Sequence, residues 1–363
     1  MEQTVSSSPQ NIFAVFNGDA QGSFEHRFEK AFSALAAERE LRASRGAELV
    51  WIRVFLSDII NQLPQISERL SSLSTDCAIS IVEQPPLDGC KVSIMGCFLT
   101  GGHASQTAPD TWDITYRGTT YIYQAMRFDD TTAQTTAGGH DQTVEAFERH
   151  KTLLSTRGLT IKDNTLRTWI FCRDIDRTYA GIVKGRNDFF AQNGLTADTH
   201  FIASTGIGGY TPSPSAVVGV DFLSRDGSAT GDVKYLQALD HLNPTAQYGV
   251  AFERGTAFSA DTHRVSLISG TASIDKQGNC IYLNDPAAQT ERLLDNTDAL
   301  LADDGSSLSD IRMIIFYLRD AADYADVAHV AHEKLPHDTA MVFVHAKVCR
   351  PAWLVEAECI AVR

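Results

Sequence analysis

No apolar run in the sequence reaches the ~20 residues that a membrane-crossing helix needs, so no membrane partner is expected. The seven cysteines (77, 90, 97, 172, 280, 349 and 359) include no C-x-x-C pair. An odd, scattered set fits a reducing cytoplasm better than a disulfide framework. The opening MEQTVSSSPQ lacks a basic stretch followed by an apolar one, so a secretory signal is not expected. Basic residues are in deficit: 31 Lys and Arg stand against 45 Asp and Glu, a formal net charge of −14. That disfavours nucleic acid, whose binding is dominated by phosphate attraction to basic surface. A small anionic substrate is not disfavoured, since it needs only one or two well-placed arginines. No G-K-[ST] ending, H-E-x-x-H or G-x-S-x-G is present, which argues against a nucleotide P-loop, a zinc-protease helix and a nucleophile elbow. His329 and His332 lie three apart with Glu333 after them, but no third ligand accompanies them. They read as a solvated helix face, and neither a metal nor another cofactor is expected.

What is present is a chain of 363 residues, 43% hydrophobic, enough for two or three domains with sizeable cores. Three stretches resemble one another: GAELVWIRVFLSDIINQLPQISERLSSL from Gly46, TLRTWIFCRDIDRTYAGIVKGRNDFF from Thr165, and LSDIRMIIFYLRDAADYADVAHVAHEKL from Leu308. Each reads as an apolar strand, an acidic stop (Asp58, Asp174, Asp320) suited to capping a helix, and a helix-period segment. Hairpin-like strands and an amphipathic helix precede each stretch, and a loop and a final strand follow. The order predicts an α/β (α+β) fold of three repeated modules: hairpin, helix, strand, helix, strand. The turn-rich TGGHASQTAPD and the Gly/Ser/Asp-rich SRDGSATGD set the expected modules at 1–103, 104–228 and 229–363.

The last strand, WLVEAECIA, would place Leu354, Glu356, Glu358 and Ile360 on one face. Two acids beside apolar residues is the feature that asks for a function. Read from the residue alone, Glu356 is an edge-strand acid facing solvent.

The third unit resembles the RidA/YjgF family, through LISGTASID (267–275), IIFYLRDAADYADV (314–327) and WLVEAECIA (353–361). Over roughly the last 200 residues the chain resembles chorismatases. The residues that carry this are RTWIFCRDIDRTYAGIVKGRNDFF (167–190), FIASTGIGG (201–209), AFERGTAF (251–258), SGTASI (269–274) and VCRPAWLVEAE (348–358). The first hundred residues match only in outline. The resemblance implies RidA-like modules, mixed sheets packed on helices, joined as a pseudo-threefold single chain. Fusion lets three interfaces diverge, and the retained pocket is expected between modules two and three. A monomer of this kind and a homo-oligomer are both compatible with the sequence.

The implied activity is cleavage of the enolpyruvyl ether of chorismate, with Glu356 as the general acid. Cleavage needs a proton at the vinyl carbon, and a carboxyl in a semi-apolar site has the raised pKa this requires. Glu358 is expected to support the site rather than act in it. Arginines are needed for two substrate carboxylates. Arg254, beside Gly255, is the first candidate, with Arg319, Arg186 and Arg350 the others. Arg186 and Arg319 read equally as salt-bridge partners between modules, and Arg350 as a turn anchor. Ser204, Thr205 and Gly206 are expected to present hydroxyls and a small N–H nest to a carboxylate. Thr271 and Tyr179 complete the expected substrate contacts, although Tyr179 also suits a helix core. Cys349 and Gly270 resemble the branch forming pyruvate and 3-hydroxybenzoate rather than the hydrolytic branch. Gly270 would leave room for the substrate side chain to fold back on the ring. A RidA-like imine deaminase is a rival reading, but TAMVFVHAK (339–347) lacks the arginine that chemistry uses in that family. A binding protein without catalysis is the other.

Overall fold

The apolar runs before each acidic stop become strands buried on both faces, which requires cover on each side. A computed structural model of the chain describes residues 4–7, 11–136, 138–227 and 232–363. Parts of the opening segment, and residues 228–231 at the expected second boundary, lie outside these. The first sheet is built from β1 (Thr4–Ser7), β2 (Asn11–Asn17), α1 (Phe24–Ala43), β3 (Ala47–Leu56), α2 (Ile59–Ser71), β4 (Ala78–Glu83) and β5 (Val92–Thr100), taken with its helices. The second comprises β6 (Gly102–Ala108), β7 (Thr111–Tyr116), β8 (Thr119–Met126), α3 (Asp130–Thr135), α4 (Gly138–Ser155), α5 (Ile161–Asn164), β9 (Thr165–Cys172), α6 (Ile175–Gln192), β10 (Ala203–Gly208) and β11 (Val218–Arg225). The third comprises β12 (Lys234–Tyr235), β13 (Gly255–Ala260), β14 (His263–Ala272), α7 (Pro286–Ala302), β15 (Ile311–Leu318), α8 (Tyr324–Lys334), β16 (Ala340–His345) and β17 (Val355–Val362).

The same four-strand order recurs in all three sheets: β2-β5-β3-β4, β8-β11-β9-β10 and β14-β17-β15-β16. Within each, only the last pair is parallel. The repeat is therefore one strand richer than the sequence suggests. A short parallel strand follows the second helix of every unit, and in the second unit it is ASTGIG, which reads as a glycine-rich loop. The acidic stops differ too. Asp58 caps α2 through Asn61 N–H. Asp174 sits in the left-handed region (φ 48°) without a side-chain cap and instead accepts from the Tyr210 hydroxyl at 3.0 Å. Asp320 caps a 3₁₀ turn before α8.

Helices cover one face of each sheet, and the opposite faces of all three meet around a common axis. The largest core cluster draws on all three sheets, while separate clusters lie under α4 and α6 and under α7 and α8. Charged residues inside otherwise apolar strands meet at this axis. Arg53 of β3, fully buried, donates to Asp221 of β11 at 3.1 Å and lies 3.5 Å from Glu358 of β17. Asp221 also accepts from Ser80 and Tyr123 and pairs with Arg127 at 2.8 Å. These guanidinium groups hold its carboxyl below the usual range despite burial. Glu358 accepts from Arg167 Nη2 at 2.8 Å and from Trp169 Nε1 at 2.7 Å. Removing one partner from such a network leaves an uncompensated buried charge. Glu358 thus ties the three sheets together. Among the described residues no helix is long and apolar enough to cross a membrane.

Candidate active site

Side chains alternate along β17, and one face carries Glu356, Glu358 and Ile360 in turn toward different layers of the axis. Leu354 precedes the strand and is held through its N–H by Gln289. Glu356 lies at the end of the face nearest the second sheet, where β17 and β14 lose register between Ile268 and Thr271. Ser269 and Gly270 fill that break and fasten the two sheets together. Ser269 Oγ accepts from Ser204 N–H at 2.9 Å and donates to Glu253 C=O at 2.6 Å. Gly270 N–H donates to Thr205 Oγ1 at 2.9 Å.

The cleft that results is lined by Glu356, Gly270, Cys349, Arg350 and Trp353 from the third sheet and its loops. Tyr179 and Arg186 of α6, with Ser204 and Gly206 of β10, face them from the second. Arg254 closes it from just before β13. Tyr179 and Arg186 are seven residues apart, two turns along one helix face. Phe252, Val250, Ala272 and Ile274 supply apolar wall.

Glu356 is 4% exposed and its carboxyl has no hydrogen-bond partner among the described residues. Burial, and then the Glu358 carboxylate, push it up to about 8, against a smaller opposing pull from Arg167. At neutral pH it is a carboxylic acid. Around it stand Arg186, Arg254 and Arg350, so the cleft is cationic in a chain of net charge −14. Arg254 donates to Asn243 C=O through Nη2 (3.0 Å) and Nε (3.3 Å). Arg350 is exposed at the rim, its guanidinium 5.2 Å from the Trp353 ring. Arg186 is different: it is 3% exposed, yet its Nε and Nη2 have no acceptor. A guanidinium does not give up its charge, so Arg186 is a buried cation, with the Phe252 ring 6.0 Å from its guanidinium. Burial, and after it Glu356, push the Cys349 thiol up to about 12, so it is a neutral group beside Tyr179.

Gly270 has a specific duty. A Cβ there would lie 2.0 Å from Glu356 Oε1, so the room that the glycine leaves is filled by the acid itself, not by substrate. Gly270→Ala is expected to displace the carboxyl and, if Glu356 is the general acid the sequence suggests, to lower turnover at least ~10²-fold, as misplacement of a reacting group does. A wild-type kcat in that variant would contradict the placement. Gly206 likewise lets the Tyr179 ring lie against β10, 3.1 Å from where a Cβ would be.

Three expected contacts are corrected. STGIGG is not an N–H nest but strand β10, so alternation turns Ser204 and Gly206 into the cleft and Thr205 away from it. Thr205 clamps Arg167 and Gly270. Thr271 donates to Ser269 C=O at 2.9 Å, is 2% exposed and does not line the cleft. Arg319 pairs with Asp176 at 2.6 Å and donates to Val348 C=O, a link between sheets two and three rather than a substrate contact. Arg167, a positioning residue between Thr205 and Glu358, went unrecognised, although a charge inside TLRTWIFC was its signal. Nothing in the sequence pointed to Phe252. No group of three or more potential metal ligands occurs among the described residues.

Sheet register shows what became of the two equivalent positions. Glu356 pairs with Tyr317, next to the end of β15; the residues pairing with Phe171 and Phe55 in the other sheets are Gly219 and Ser93. A Cβ on Gly219 would meet Thr211 at 2.5 Å and Arg127 at 3.2 Å, and Ser93 donates to Asn17 at 2.7 Å. The acid has one home among three interfaces.

The fold defines a class: RidA-like modules fused around a pseudo-threefold axis, with a cleft between two of them. The chain belongs to the family described as endoribonuclease L-PSP, whose model matches residues 249–363. It is 30% identical over 98 residues to the 3-aminoacrylate deaminase RutC of Acinetobacter baylyi, covering 27% of this chain and 78% of that one. The whole chain shares the fold of a chorismatase crystal structure, with a TM-score of 0.67, 16% identity and 99% of each chain covered. NMB1025, a YjgF protein from Neisseria meningitidis, matches at 25% identity and a TM-score of 0.28, over 36% of this chain and 95% of its own.

Proposed function

We propose that this protein cleaves the enolpyruvyl ether of chorismate, with Glu356 as the acid. The observation that carries the reading is a protonated carboxyl, unpaired and buried, in a cleft where Arg186 waits for an anion. Chorismate brings two carboxylates, which Arg186 and Arg254 would hold. Glu356 then gives its proton to the terminal vinyl carbon, and positive charge develops at the ether carbon. The new Glu356 carboxylate lies beside that charge and stabilises it. The ring–ether C–O bond then breaks, pyruvate leaving with the ether oxygen as its ketone, while the neighbouring ring hydroxyl closes on the vacated carbon and gives its proton to Glu356, restoring the acid. The epoxide so formed opens at its other carbon, and the ring proton beside the remaining C–O bond passes to that oxygen, which aromatises the ring. Pyruvate and 3-hydroxybenzoate together contain the atoms of chorismate, with no water added. The hydrolytic course instead adds one water and gives a dihydroxycyclohexadiene carboxylate. The neutral Cys349 thiol, facing the same space, favours the first course by supplying a weak donor rather than a base. Deamination of the RutC kind finds less support, because the cleft arginines come from α6, the approach to β13 and the rim, and β16 carries none.

The test is purified protein with chorismate, products separated by chromatography and weighed by mass spectrometry. Pyruvate with 3-hydroxybenzoate is expected. Pyruvate with the dihydroxy diene would keep ether cleavage and overturn the product assignment. No pyruvate above the spontaneous rate would overturn the function.

A further inference from the structure

The Glu356 cleft encloses about 70 Å³. That is less than half of the ~150 Å³ cavity that takes up benzene. A ligand able to bridge Arg186 and Arg254 therefore enters only if one wall moves aside.

Of the walls, α6 and β10 are regular elements. The loop that carries Trp353 is tied to α7, where Gln289 donates to Ala352 C=O at 3.0 Å and accepts from Leu354 N–H at 2.9 Å. The turn at Gly278 is tied by Asp275, which accepts from Gln277 and Asn279 N–H, and by Arg292 and Asn296, which donate to Ile274 C=O. The wall between β12 and β13 is built differently. Leu242 is buried in the core of the third module and Ala251 in that of the second. Residues 243–250 span from one anchor to the other, with one 3₁₀ turn (Thr245–Tyr248) and Gly249 in the left-handed region (φ 75°).

Val250, at the end of this strap, lines the cleft beside Phe252. On the other side lies a hollow of about 410 Å³, lined by Asn243, Thr245 and Ala246 of the strap and by Thr199 and His200 of the second module. The strap thus has room to retreat. Two cleft-side residues hold it. Arg254, which lines cleft and hollow alike, donates to Asn243 C=O at 3.0 Å. Asn187, next to Arg186 on α6, donates through Nδ2 to Gly249 C=O at 3.0 Å. Asn187 Oδ1 is buried and accepts no hydrogen bond from a described residue. A neutral hydrogen bond that water can replace is a weak latch.

We propose that residues 243–250 are a gate to the Glu356 cleft, latched to α6 by Asn187 and opening into the hollow behind it. Lids of this kind admit ligand and then exclude water. The gate concerns access to the cleft, so it stands whether or not the ligand is chorismate.

The experiment follows alkylation of the full chain by N-ethylmaleimide, with each thiol located by peptide mass spectrometry. Cys349 lines the cleft and Cys280 does not, and both are half-buried. Asn187→Ala is expected to raise the Cys349 rate roughly tenfold and to leave the Cys280 rate unchanged. The paired substitutions Asn187→Cys and Gly249→Cys should do the reverse once oxidised to a disulfide, slowing Cys349 until the bond is reduced. A Cβ on Gly249 meets nothing within 4 Å, so the position has room for the side chain. Should the pair not join, the alanine variant decides alone. A Cys349 rate that the variants leave unchanged would overturn the gate. So would a rise that Cys280 shares, which marks general loosening. No readout uses chorismate, so failure of the gate is distinct from failure of the proposed activity.

Discussion

Glu356→Gln is expected to lower the rate of pyruvate release from chorismate by ~10³-fold or more, with little change in KM. The carboxamide has the shape of the protonated acid but no transferable proton, and general-acid groups contribute ~10²–10⁴-fold. The same variant should be more stable than the wild type, in a pH-dependent way. Glu356 has an ordinary value of 4.5 and is pushed up to about 8 in the folded chain. Between these values the native state keeps a proton that the unfolded state has released, so native stability falls as pH rises, and above about 8 the cost is constant. Glutamine does not titrate. The melting temperatures of variant and wild type should therefore coincide below pH 4.5, diverge in the variant's favour up to about pH 8, and stay apart beyond it. Loss of activity with unchanged relative stability across this range would show that Glu356 is not buried as an acid.

Arg186→Met is expected to raise KM for chorismate by about 10²-fold or more, with a smaller effect on kcat. Truncating one side of a buried, hydrogen-bonded charge pair costs ~2–5 kcal/mol, and here the pair forms only when substrate arrives. Without substrate the guanidinium is a buried cation with Nε and Nη2 unmet, so the methionine variant should melt at a higher temperature than the wild type. Steady-state kinetics and thermal unfolding together separate the two roles. A structural arginine would give a lower melting temperature and an unchanged KM.

The contrast between Arg186 and Arg319 shows where sequence reading reached its limit. Arg186 lies within α6 and Arg319 directly after β15, and both read equally as substrate contacts or as salt-bridge partners between modules. What separates them is Asp176, which lies 143 positions from Arg319 in the chain and pairs with it across the interface. Among the described residues no acid pairs with Arg186. Such a difference belongs to the assembled sheets, not to any local pattern. By contrast, the β17 face was legible from alternation alone, because a period of two needs no distant partner. The repeat was legible for the same reason: three apolar strands each end at an Asp before a helical pattern. The strand β10 was missed because Ala-Ser-Thr-Gly-Ile-Gly has glycines where a strand usually has branched residues. Those glycines leave room for Tyr179 and for the Lys347 backbone, which lies 2.8–2.9 Å from a Cβ on Gly208. Once β10 is a strand, the fates of Ser204, Thr205 and Gly206 follow from alternation. The charges inside β3, β9 and β11 were visible as misfits in apolar runs, but only packing around the axis pairs Arg53 with Asp221 and Arg167 with Glu358.

The most direct measurement of the central claim is kcat/KM for pyruvate release from chorismate between pH 5 and 10. If Glu356 is the acid, the rate constant is level through neutrality and falls tenfold per unit above about pH 8, where the carboxyl ionises. A profile that stays flat or rises through that point, or no pyruvate above the spontaneous rate at any pH, would contradict it.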